Sequence, residues 1–238
     1  MENRIGNVLS TQLKKNLPRF KHIPAKFDFE GQLDRETGPD GRLYSTPSGK
    51  KYPSVTTVLS SGSKEGLENW RKRVGEDEAK RVGHHASVRG TKVHDLMESY
   101  VRGDNIDESK LMPHYKKSLH DLSAIMDERL TEWYSMEQMM WSDYLGIAGQ
   151  MDLAGRFDGV RSVIDYKTSL RVKQKTWITN YFIQETAYSI MFEERTGISL
   201  PNLVIVMDVD NHKPIIFKEH RDNWVKPLME AIEAYHKG

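Results

Sequence analysis

The chain has 238 residues, 37% hydrophobic and 29% charged, with 35 Lys and Arg against 34 Asp and Glu. That length suits one substantial core with or without an appended lobe, and no apolar run approaches the roughly 20 residues of a membrane span. The absence of cysteine excludes disulfides and any cysteine-ligated zinc or iron–sulfur cluster and fits a reducing, cytoplasmic setting, while a net charge of +1 excludes a protein that coats nucleic acid by bulk electrostatics.

Up to about Tyr52 the chain is rich in Gly, Pro, Asp and Lys, with turn signals at Pro39-Asp40-Gly41 and Pro47-Ser48-Gly49. Residues 1–52 are therefore expected to form an N-terminal extension of loops and a small hairpin. From Ser54 to Tyr100 the apolar spacing is helical, broken at Gly62, Gly66 and Gly75, and Gly90 to Glu98 reads as a helix. A second helix is expected from Tyr115 to Trp133. The period then changes to that of strands at Met136 to Ser142, Gly146 to Phe157 and Val160 to Thr168. A helix from Trp177 to Thr196, ended by Gly197, precedes strands at Leu203 to Val209 and Pro214 to Lys218, and a helix from Asn223 to His236 closes the chain. The expected fold is α/β, a central mixed sheet flanked by helices with a helical N-terminal portion. It divides into a helical arch at 53–133 and an α/β core at 134–238.

Asp158-Gly159 between two strand-like runs signals a two-residue type I′ hairpin. With Phe157 opposite Val160, the register puts Asp152 across from Asp165 and Gln150 across from Lys167, and opposed residues share a face. Alternation along the strand adds Lys167 to the side of Asp165. Two carboxylates and an ammonium thus converge. Opposed like charges destabilise a bare sheet, so the arrangement asks for a cation, and carboxylates are the preferred ligands of Mg²⁺ or Mn²⁺. Leu153 and Ile164 fall on the other face, where helices can cover them.

The run Gly149-Gln150-Met151-Asp152, then Ile164-Asp165-Tyr166-Lys167-Thr168-Ser169, then Gln184 and Tyr188 resembles the RecB-like branch of the PD-(D/E)XK nucleases. Gly90-Thr91-Lys92-Val93-His94 is similar to that branch's helical Gly-x-x-x-His motif. Tyr52 to Leu59 resembles the corresponding segment of the mitochondrial genome-maintenance exonuclease subgroup.

The resemblance implies a restriction-endonuclease-like core and a metal-dependent deoxyribonuclease, an exonuclease in replication, recombination or repair. DNA that is single-stranded or has a free end would be its substrate, Mg²⁺ or Mn²⁺ its cofactor, and no membrane its partner. It implies catalytic roles for Asp152, Asp165 and Lys167, and metal ligation by His94, Asp152, Asp165 and the Tyr166 carbonyl. Glu98 is placed to orient His94 from one turn on, Glu137 lies on the preceding strand where the branch often carries an acid, and Gln184 and Tyr188 would meet the DNA backbone. Gln150 and Thr168 flank the motif residues. A compact, cysteine-free member suits a phage, which would put it in the bacterial host cytoplasm. Two other readings stay open: a duplex- or structure-specific (flap) endonuclease of the same fold, and a non-catalytic DNA-binding protein.

Overall fold

The computed structural model describes residues 19–62 and 64–237, and the small hairpin expected near the N-terminus forms around Pro39-Asp40. The first eighteen residues of the expected extension lie outside the described residues. From there β1 (Lys21–His22) leads to β2 (Asp34–Gly38), β3 (Gly41–Ser45) and β4 (Lys51–Pro53), then to helices α1 (Val55–Ser61), α2 (Lys64–Val74), α3 (Glu76–Arg102) and α4 (Pro113–Arg129). The rest of the chain is β5 (Leu130–Ser142), β6 (Ile147–Phe157), β7 (Val160–Ser169), α5 (Thr179–Thr196), β8 (Asn202–Val209), β9 (Ile215–His220) and α6 (Val225–Lys237).

Six strands in the order β1-β5-β6-β7-β8-β9 form one mixed sheet, and β2-β3-β4 form a separate antiparallel one. Strands β7 and β8 run parallel, so their connection must cross the sheet, and α5 makes that crossing. One face of the large sheet, with Leu153, Ile164, Tyr166, Val204 and Val206, packs on Val93, Leu96 and Met97 of α3 and on Leu119, Leu122 and Met126 of α4. The other face, with Val163, Leu203 and Ile205, packs on α5 through Phe182, Ala187 and Met191, and on α1 and α6. This is the expected α/β architecture, a mixed central sheet flanked by helices. Among the described residues no helix is long and apolar enough to cross a membrane.

Two boundaries differ from expectation. The helix expected to reach Trp133 stops at Arg129, and Thr131, Trp133 and Tyr134 enter β5, because β-branched and aromatic side chains fit a pleated surface and β1 pairs there. Gly66 does not interrupt α2, whereas Gly75, at φ +89°, does separate α2 from α3. Helix α3 is 27 residues long, and its second half carries His94 over the ends of β6 and β7.

Candidate metal centre

The hairpin bend forms as its residues require, with Asp158 at φ +48° and Gly159 at φ +76°. Pairing from Phe157 with Val160 runs to Leu153 with Ile164 and stops there. Beyond that point the strands part. The expected direct oppositions of Asp152 with Asp165 and of Gln150 with Lys167 are therefore not formed. Instead the Asp152 carboxylate fills the gap and accepts a hydrogen bond from the Tyr166 N–H at 3.0 Å. Gln150 pairs with Met139 of β5. The physical reason is local: a short bend sets the register near itself, while at the far ends His94 of α3 contacts both Tyr166 of β7 and Asp152 of β6.

His94 bonds through Nε2 to the Tyr166 carbonyl at 2.7 Å and lies 3.3 Å through Nδ1 from Asp152 Oδ2. With both ring nitrogens engaged, it does not use Glu98, which pairs with Arg102 at 2.6 Å. The orienting role expected of Glu98 is thus taken by the Tyr166 backbone. On the other side, Glu137 falls opposite Asp152, between the pairs Met136–Leu153 and Gln138–Met151. Its φ of +50° is unusual for a side chain with a Cβ, and such backbone outliers collect at functional sites. Gln150 holds it, donating Nε2–H to Glu137 Oε2 at 2.6 Å and accepting from Arg35 at 3.1 Å.

Ligand atoms of His94, Glu137 and Asp152 lie within 4.8 Å of one another. Asp165 stands outside this group. It is 1% exposed and ion-paired with Lys167, yet among the described residues neither of its oxygens has a hydrogen bond of good geometry. Burial, then repulsion from Asp165, pushes the Asp152 carboxyl up to about 6. Burial, then Asp152, pushes that of Glu137 to about 7. Burial also works against the charge on Lys167, but Asp165 and Asp152 outweigh it and hold the ammonium above the ordinary lysine pKa. Two carboxylates and a carbonyl are oxygen donors of the kind a hard divalent cation prefers, with the His94 imidazole beside them. The residues present fit Mg²⁺ or Mn²⁺.

The group lines a cavity of about 710 Å³ with Lys167, Gln184 and Tyr188. Gln184 donates to the Tyr188 hydroxyl at 3.0 Å, and the Tyr188 ring lies against Gly149, where a Cβ would stand 2.5 Å from Cε1. Thr168, one residue past Lys167, points to the other side of the strand and lines a neighbouring cavity instead. Trp177, just before α5, is 66% exposed.

Sequence reasoning passed over Glu185. It is fully buried on α5 and, among the described residues, neither oxygen has a hydrogen-bond partner of good geometry, and burial, then Asp165, pushes its carboxyl well above the usual range. Its signal was present: Glu185 sits four residues after Tyr181 and three before Tyr188, a charged residue in the middle of the helix stripe that faces the strand.

No protein-family model matches the chain. Over 155 residues, 57% of this chain, it is 27% identical to the Homo sapiens protein named "Mitochondrial genome maintenance exonuclease 1". The match spans 42% of that relative, less than half its length. A solved structure from Eubacterium rectale, of a protein named "Putative exonuclease", superposes with a TM-score of 0.45 at 18% identity, covering 64% of this chain and 65% of that one.

Proposed function

We propose that the protein is a divalent-metal-dependent deoxyribonuclease, an exonuclease acting on single-stranded DNA in replication, recombination or repair. The observation that carries the reading is the convergence of His94, Glu137 and Asp152 within 4.8 Å at one wall of the cavity that also holds Lys167. The partial identity to a human protein whose name includes exonuclease supports it.

His94, Asp152, Glu137 and the Tyr166 carbonyl would hold the cation, and Asp165, outside their group, would balance Lys167 beside it. Once bound, the cation supplies Lewis-acid polarisation of the phosphate and a more acidic water. Lys167 keeps its proton, because the carboxylates around it raise its pKa, so it acts as a fixed positive charge and not as a base. Its ammonium would meet charge that develops on phosphate oxygens. Gln184 and Tyr188 bind the strand beside the reacting bond, and their mutual hydrogen bond sets the direction of both polar groups.

The test is hydrolysis of end-labelled linear single-stranded, linear duplex and circular single-stranded DNA with Mg²⁺, Mn²⁺ or a chelator. Metal-dependent release of nucleotides from linear single strands, with the circle intact, is expected. Cleavage of the circle would replace the exonuclease reading with the endonuclease one. No hydrolysis of any substrate under either metal would overturn the proposal.

A further inference from the structure

The cavity around the metal centre is a poor place for a polyanion if only its floor is considered, because four carboxylates line it, Asp95, Glu98, Glu137 and Asp152. Besides Lys167, its cationic lining is Arg35 and Arg42, and both come from the small three-stranded sheet. Arg35 pairs with Tyr44, and Arg42 lies two residues before Tyr44 on β3, so all three side chains share one face of that sheet. This face looks into the cavity.

Among the described residues neither Arg35 nor Arg42 has an ion pair, whereas Arg89 is held by Asp208 and Asp210, Arg195 by Asp143 and Glu194, and Arg221 by Glu193. The Arg42 Nε is buried and, among those residues, has no hydrogen-bond partner. An orphaned guanidinium nitrogen in a cleft loses water without gaining an acceptor, and it is satisfied by an anion that arrives with the ligand.

The position is fixed in advance. The Arg42 N–H bonds to Thr57 Oγ1 at 2.8 Å, and its carbonyl accepts from the Ser54 N–H at 2.8 Å, which ties β3 to the start of α1. Gly41, at φ +113°, lets the turn before Arg42 close on Thr57, since a Cβ there would collide with Thr57 Cγ2. Arg35 is linked through Gln150 to Glu137, so whatever it binds lies beside the metal centre and not in it. A planar guanidinium fork matches two oxygens of a phosphodiester.

We infer that Arg35 and Arg42 form a phosphate-binding wall that grips the nucleic-acid backbone on the side of the cleft facing the metal centre, next to the phosphate that is cut. The inference rests on the nuclease reading and adds the residues that let an acidic cleft accept a charged strand. The small sheet then serves as part of the substrate site.

The experiment compares wild type, Arg42→Ala and Arg35→Ala/Arg42→Ala on linear single-stranded DNA with Mn²⁺ across a series of salt concentrations, with calorimetry of Mn²⁺ binding alone. The double variant should raise KM by about tenfold or more with kcat nearly unchanged, as expected when charge-assisted hydrogen bonds made equally in ground and transition states are removed. Its salt dependence should be shallower by roughly 0.7 in log–log slope for each phosphate that is no longer neutralised. Mn²⁺ affinity of Arg42→Ala should match wild type. If wild type cleaves and the double variant keeps its KM and salt slope, the inference falls while the nuclease reading stands. A drop in Mn²⁺ affinity in Arg42→Ala would also overturn it, because the residue would then be supporting the metal centre. If wild type itself neither binds nor cleaves DNA, both fall together.

Discussion

Glu137 faces Asp152 across the β5–β6 ladder from a backbone turned to φ +50°, and both carboxyls are pushed upward in pKa. Two acids at opposed positions repel, and here the chain spends backbone strain to bring them together. The folded pKa of Glu137, about 7, lies above its ordinary 4.5, so the folded protein binds more protons than the unfolded chain between those values. Stability of the metal-free protein must therefore fall as pH rises through that window. Glu137→Gln should stabilise the chelator-treated protein at pH 8 by about 1–3 kcal/mol, discounted for partial exposure, and by nearly nothing at pH 5. Denaturant titrations at the two pH values decide it. Equal effects at both would show that the carboxyl is not strained in the fold.

The same shifts predict proton release on metal binding. Near pH 6 a share of Glu137 and Asp152 is protonated, and a cation must displace those protons. Mn²⁺ titrated in buffers of different ionisation enthalpy should release roughly one proton per ion at pH 6 and close to none at pH 8.5. A pH-independent proton count would remove these groups from the ligand set. His94→Ala and Asp152→Asn should each weaken Mn²⁺ binding about tenfold or more by the same calorimetry.

On the proposed function, Lys167 links activity to stability. It is paired with Asp165, and Asp165 is 1% exposed. Lys167→Ala leaves that carboxylate buried without its cation, at a cost of about 3–5 kcal/mol, and removes the fixed charge at the phosphate, lowering kcat roughly 10²–10³-fold. Added Mn²⁺ should recover part of the melting temperature and little of the rate. Full recovery of kcat by metal would mean that Lys167 serves only to balance Asp165.

Gly149 is needed for the close approach of Tyr188. A Cβ there would meet the ring at 2.5 Å, so Gly149→Ala should push Tyr188 off the strand, break its hydrogen bond with Gln184 and cost about 1–3 kcal/mol. In a double-mutant cycle, Tyr188→Ala should erase most of that penalty. Additive penalties would place the strain elsewhere.

Local chemistry was readable in the chain: the Asp158-Gly159 bend, the alternation that sets Asp165 and Lys167 on one side, the helix that carries His94, and the mixed α/β order. These depend on neighbours within a few residues, where steric rules act without help from the rest of the fold. The tertiary structure alone decided that β6 and β7 part after Leu153, that Glu137 completes the group with His94 and Asp152, that Glu98 turns to Arg102, and that Arg35 and Arg42 reach the cavity. Each of those depends on where α3 and the small sheet come to rest against the strand ends, which is set by packing between segments far apart in sequence and leaves no periodic trace in any one of them.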